Sequence, residues 1–165
     1  MHNIVATAGS IESREALKSL GLGNYQIINY KTENLNEKIK LPYNEEGFDF
    51  AVDIVGGEMA NTAADVLKAN GTYVDVTFLG TQLTREILFD KGATIINISG
   101  YSFALNNQLN WYGQTLNHLT QLIEHVKIDA PAVNLIGELS VGTVQKGHRM
   151  MEANQVYGRK IVMKV

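Results

Sequence analysis

The sequence predicts an α/β protein: a parallel sheet with helices on both faces. Short apolar or alternating runs bounded by glycine, such as residues 4–8 and 48–54, have the pattern of strands covered by other layers. Between them lie stretches of helical spacing. Strands therefore alternate with helices nearly throughout, as crossover connections between parallel strands require. No repeat, low-complexity segment or linker divides the 165 residues, a length that suits one domain and buries about 70% of its unfolded surface.

Each element has a local reason. Residues 4–8 form an apolar strand stopped by Gly9, and Ser10 caps a helix whose stripe is Ala16, Leu17 and Leu20 and whose end is marked by Gly21 and Gly23. "YQIINY", residues 25–30, is a second strand. Residues 34–40 read as a short amphipathic helix, stopped by Pro42 and a polar loop that ends at Gly47. "FDFAVDIVGG", residues 48–57, is the clearest strand, with Phe48, Phe50, Val52 and Ile54 on one face and a double glycine opening a helix over 60–68. Asn70 and Gly71 close that helix, and "TYVDVTF" forms a strand ending at Leu79 and Gly80. A polar stretch follows to Gly92, then the strand "ATIINISGYS". Leu116, Leu119, Ile123 and Val126 space a long amphipathic helix ahead of Pro131. "SVGTVQKGHRMMEAN" reads as a helix and "RKIVMKV" as a terminal strand.

Composition narrows the function classes. The net charge of −3 and the lack of a basic run speak against nucleic acid or an anionic membrane as partner, since both need a concentrated cationic face. Cysteine is absent, which removes disulfides, thiolate nucleophiles and cysteine-ligated metal. No apolar run approaches the roughly 18 residues of a membrane span, and the N-terminus lacks the regions of a signal peptide, so a cytoplasmic location is expected.

In an open α/β sheet, ligands bind beyond the carboxyl ends of the strands. Small residues stand at such ends in "AGS" (8–10), "VGG" (Val55, Gly56, Gly57), "FLG" (Phe78, Leu79, Gly80) and "SGYS" (99–102). At the first of them a dinucleotide fold that prefers NAD carries a carboxylate to accept the adenosine ribose hydroxyls. None stands at residues 7–10. Ser10, Ser13 and Arg14 instead offer hydroxyl donors and a cation beside a helix N-terminus, and Tyr30 and Lys31 at the next strand end add a phenol and a second cation. This set favours a ribose 2'-phosphate, and so NADP(H) over NAD(H), although Glu12 and Glu15 stand close by.

The G-x-G-x-x-G loop that should precede such a strand is absent; "GLGNYQ" (21–26) lacks the third glycine and precedes a strand, so it is a helix stop. The pieces "INYKTE", "DIVGG", "ANGTYV" and the closing "YGRKIVMKV" resemble the medium-chain dehydrogenase/reductase superfamily, most of all its quinone oxidoreductase-like branch. The resemblance covers nearly the whole chain. It implies one partial NAD(P)-binding Rossmann domain over 1–165, lacking the first strand, the glycine loop and the first helix of the full domain. Residues 133–165 include the segment that returns toward an absent catalytic domain. It further implies hydride transfer between NAD(P)H and a quinone, enone, alcohol or aldehyde in the intact protein. Ser10 and Tyr30 match adenosine-phosphate contacts, Arg14 lies near a place that often holds lysine, and 55–57 and 78–80 match loops flanking the dinucleotide. A homodimer paired through the edge strand near 94–99 follows from the same resemblance.

Other chemistries find less support. His118 and His125 lie on one predicted helix without a completing carboxylate or cysteine cluster, so no metal site is expected, and His148 fits a solvent-facing or capping role. No G-x-S-x-G occurs, and Asp53 is expected to accept loop amides rather than act in catalysis. No catalytic residue is assigned, and negligible turnover is expected of the chain alone. The alternatives are a non-catalytic binding module of the same fold and a methyltransferase, for which Gly9 and Ser10 are a poor glycine-rich loop. Without a first strand, the strands at Ile4 and Phe48 should either close up or leave a space for other chain.

Overall fold

The computed structural model describes residues 4–35, 37–39, 47–156 and 158–165. β1 (Ala6–Ala8) and β2 (Ile27–Asn29) pair in parallel, Ala6 opposite Ile27 and Ala8 opposite Asn29. Between them runs α1 (Ile11–Ser19). Ser10 starts it as predicted, its Oγ accepting the Ser13 N–H at 3.1 Å. Gly21, at φ 93°, ends it by donating to the Lys18 carbonyl. Of the helix expected over 34–40, residues 35 and 37–39 are helical and Ile39 is buried. Asn34 is described and stands outside that helix, while positions 36 and 40, Pro42 and the rest of 41–46 lie outside the described residues.

A second sheet has the order β3 (Phe48–Asp53), β4 (Leu67–Asp75), β5 (Thr94–Asn97), all parallel. Ala51, Tyr73 and Ile95 lie in one row across it and Val52, Val74 and Ile96 in the next, so the two rows point to opposite faces. Ala51 and Tyr73 pack with Ala64 of α2 (Glu58–Asp65), Leu88 of α3 (Gln82–Asp90) and Leu67 as the core cluster. The opposite face is open: Phe50, Val52 and Ile54 remain 68%, 61% and 69% exposed.

The helix expected over 60–68 runs instead over Glu58–Asp65, because Leu67 is drawn into register with Phe48 and buried. Asn70, at φ 58°, donates its N–H to the Lys91 carbonyl at 2.8 Å within the irregular first half of β4. The "NG" signal thus marks a break inside a strand rather than its start. Over the polar stretch from Gly80 to Gly92, α3 forms: Thr81 Oγ1 accepts the Thr84 N–H at 3.1 Å, Thr84 is buried beside Asn61 of α2 and Leu88 is buried in the core cluster.

β5 is followed by α4 (Tyr101–Leu105) and α5 (Asn110–Glu124). Val126, expected on the latter, lies past its end at φ 54°. β6 (Val133–Glu138), not anticipated, pairs in parallel with β7 (Lys160–Lys164) across α6 (Val141–Glu152). The architecture is α/β, with parallel strand pairings and helices packed on the sheets. Among the described residues β1 and β3 are not paired.

Candidate functional site

The first strand end builds a cleft of about 160 Å³ lined by Gly9, Ser10, Ser13, Tyr30, Lys31, Asn154 and Gly158. That volume is below the roughly 300–1,000 Å³ of a drug-sized ligand, so the cleft suits one polar end of a larger molecule. Its walls follow from the turn. Ser10 must be extended to cap α1 (φ −146°, ψ 164°), which brings its hydroxyl beside Ser13 at 3.1 Å. Gly9 lets the Tyr30 ring lie directly against the backbone; a Cβ there would overlap the phenol. Lys31 is set by a turn in which Asn29 Oδ1 accepts its N–H at 3.0 Å.

The cleft thus unites Ser10, Ser13, Tyr30 and Lys31, all picked out in the sequence, and among the described residues no carboxylate lines it. Arg14 is not part of the lining. Its guanidinium donates to the Asn24 carbonyl at 3.4 Å. Asn154 and Gly158 were missed, since they arrive from the far end of the chain, after α6. Both have left-handed backbone, at φ 54° and 74°, and those two residue types are the usual occupants of that region. This is the one local signal that could have drawn attention to them.

The neighbouring acids are engaged. Glu15 pairs with Lys18 at 2.6 Å. Glu12 is held below the ordinary carboxylate value by its own backbone amide and then by the Ser10 hydroxyl. Glu33 is lowered chiefly by the Asn29 N–H, which its Oε2 accepts at 2.8 Å, and further by the Lys38 and Arg14 charges.

The loops at the ends of β3 and β4 are brought together with each other. Asp53 Oδ1 accepts the Val55 and Gly56 N–H groups at 2.9 and 2.8 Å, and Asp75 Oδ1 accepts those of Thr77 and Phe78 at 3.0 and 2.7 Å. Gly57 N–H donates to the Leu79 carbonyl at 2.8 Å, and Leu79 N–H to Thr77 Oγ1 at 3.2 Å. Asn61 Oδ1 accepts from Thr81 and Thr84, tying α2 to α3. These amides are thus engaged within the loops and not available to a ligand. What they present is apolar: Val55, Phe78 and Leu79 are exposed, with Phe78 held in left-handed backbone at φ 56°. Asp53 has the structural role expected of it: buried, it also accepts the Tyr73 hydroxyl at 2.9 Å. Burial, the Asp53 hydrogen bond and the Asp53 and Asp75 charges all push the Tyr73 phenol upward, so it stays a donor at neutral pH.

At the "SGYS" end, Ser102 Oγ donates to the Ser99 carbonyl, and Tyr112 OH to that of Gly100. A larger depression of about 410 Å³ is formed by one stretch, from Asn107 to Gln114, beside Trp111, which stacks on Phe103 at 3.9 Å. Its lining has amides and apolar groups but no titratable side chain, so it lacks the chemistry of the cleft. Among the described residues no three His, Asp or Glu side chains gather as a metal site, and no helix is long and apolar enough to cross a membrane.

A parallel α/β sheet with small-residue turns at the carboxyl ends of its strands places ligands at those ends. Residues 1–120 match the zinc-binding dehydrogenase family. The chain belongs to that family and, with it, to the medium-chain dehydrogenase/reductase superfamily. Prostaglandin reductase-3 from Mus musculus is 34% identical over 127 residues, covering 73% of this chain and 33% of that protein; the Bos taurus form is 28% identical over 127 residues. A Bacillus thuringiensis protein assigned as an NADPH:quinone reductase superposes with TM-score 0.75 at 20% identity, covering 98% of this chain and 48% of the other. An NAD-dependent alcohol dehydrogenase superposes with TM-score 0.71 at 21% identity, covering 99% and 44%. The chain spans about one third of the length of the curated relatives it matches.

Proposed function

We propose that this chain is the cofactor-binding portion of an NADP(H)-preferring, zinc-independent oxidoreductase that transfers hydride to or from a quinone, enone or carbonyl. The carrying observation is the cleft itself: two hydroxyls, a phenol and an ammonium converge where no carboxylate lines the wall. In that reading the cofactor supplies the hydride chemistry. Ser10, Ser13, Tyr30 and Lys31 hold its 2'-phosphate, and Val55, Gly56, Gly57, Phe78, Leu79 and Gly80 flank its less polar part. A hydrogen bond to a charged group contributes about 1.5–3 kcal/mol, so one such contact yields roughly 10- to 100-fold preference for the phosphorylated form. The names of the relatives support an oxidoreductase parent, as does the family.

The intact protein would act in the cytoplasm as a homodimer joined through the edge strand near 94–99, with neither nucleic acid nor membrane as partner. The 165 residues alone would show negligible turnover, because in this reading the acid and the substrate wall come largely from the catalytic domain of the intact protein. A second reading, a non-catalytic binding module, draws support from the open apolar face at Phe50, Val52 and Ile54, which fits a chain that docks on further structure. Calorimetric titration with NADP, NAD and S-adenosylmethionine separates the readings. NADP binding at least tenfold tighter than NAD is expected; equal affinities would remove the phosphate reading, and no binding at all would leave the module.

A further inference from the structure

We infer that Asp53 and Tyr73 are positioning residues for the cofactor: together they fix the loop at 55–57 against the loop at 78–80 and so shape the apolar lip beside the dinucleotide. The inference rests on the dinucleotide reading above and deepens it. One carboxylate does three things at once. Its Oδ1 takes the Val55 and Gly56 amides, and its Oδ2 takes the Tyr73 hydroxyl from the neighbouring strand. Tyr73 is 1% exposed and Asp53 3%, so the charge sits away from water and its hold on the amides is little diluted by competing solvent. Asp75, in register with Asp53, repeats the device one strand along, taking the Thr77 and Phe78 amides.

The two turns then interlock through Gly57 N–H and the Leu79 carbonyl at 2.8 Å. Gly56, at φ 80°, has no room for a side chain because Leu79 lies against it. Val55, Phe78 and Leu79 are therefore displayed at one lip while the amides of Val55, Gly56, Gly57, Thr77, Phe78 and Leu79 are occupied from within. A stacked or apolar ligand group finds a preformed surface there. Asp53 and Tyr73 touch neither cleft nor lip directly, and they act through the backbone they hold.

Two ligands separate this role from general stability. Adenosine 2',5'-bisphosphate reaches only the Ser10–Tyr30 cleft, whereas NADPH reaches the lip as well. In the full chain, Tyr73→Phe keeps the ring in its packing and removes one donor. It should weaken NADPH about threefold to tenfold by calorimetry and leave adenosine 2',5'-bisphosphate within twofold. Asp53→Ala should weaken NADPH more than tenfold with the bisphosphate again unchanged, and Asp53→Asn, which keeps an acceptor for both amides, should recover part of that loss. Amide hydrogen exchange at Val55 and Gly56 should rise in Tyr73→Phe while β4 stays protected. If both ligands weaken equally, or NADPH is unaffected in Tyr73→Phe, the positioning role is wrong and the cleft reading survives. If the unaltered chain binds neither ligand, the cofactor reading falls and this role with it.

Discussion

Gly56→Ala puts the interlocked loops to the test. Gly56 has φ 80°, and a Cβ placed on it would run into Leu79. Left-handed backbone costs a residue with a Cβ about 1–2 kcal/mol, and forcing an extra carbon into a packed contact costs about 1–3 kcal/mol. The substitution should therefore destabilise the chain by about 2–5 kcal/mol. Gly57 is the control: it too has positive φ, at 58°, but a Cβ there meets nothing within 4 Å. Gly57→Ala should show backbone strain alone, about 1–3 kcal/mol. Urea denaturation followed by far-ultraviolet circular dichroism, with unchanged slope, gives both values. A Gly56→Ala cost below about 1 kcal/mol would refute the packing of the two loops.

Ser10→Ala should lose about 1 kcal/mol of stability with its cap on α1 and, with it, much of the NADP preference; Ser140→Ala, which removes the equivalent cap on α6, should lose only stability. Leu88, 4% exposed in the core cluster, should cost about 2–5 kcal/mol when changed to alanine, read as a lower urea midpoint. Glu12 and Glu33 have carboxyls depressed below the ordinary value of 4.5. Their contribution to stability is therefore present above about pH 4.5 and lost as pH falls through the depressed values. An acid titration of Glu33→Gln should show a shallower loss of stability than the unaltered chain, and an identical curve would contradict the assignment.

Much of the site could be read in the sequence because its chemistry is local. Ser10 is at once a helix cap and a cleft wall, and the cap signal places it. The "DIVGG" strand end announced both its strand and its turn, since alternation, Asp and double glycine agree. β4 was harder: Leu67 has helical neighbours in sequence, and only the long-range pairing with Phe48 overrides them. α3 was hidden by polarity, because its face to the core needs little more than Thr84 and Leu88. β6 is largely exposed and carries Asn134 and Gly137, so burial and composition do not mark it. Asn154 and Gly158 reach the cleft across nearly the whole chain, and no local pattern encodes that meeting.

The central claim is that the first strand end receives a phosphate on the ribose 2' position, and nuclear magnetic resonance of the isotope-labelled chain tests it most directly. Titration with adenosine 2'-phosphate should shift the amides of Gly9, Ser10, Ser13, Lys31, Asn154 and Gly158 and leave Val55, Gly56 and Gly57 unmoved, while adenosine 5'-phosphate produces markedly smaller changes at the same concentrations. Equal shifts with the two isomers, or shifts confined to the loop at 55–57, would contradict the account.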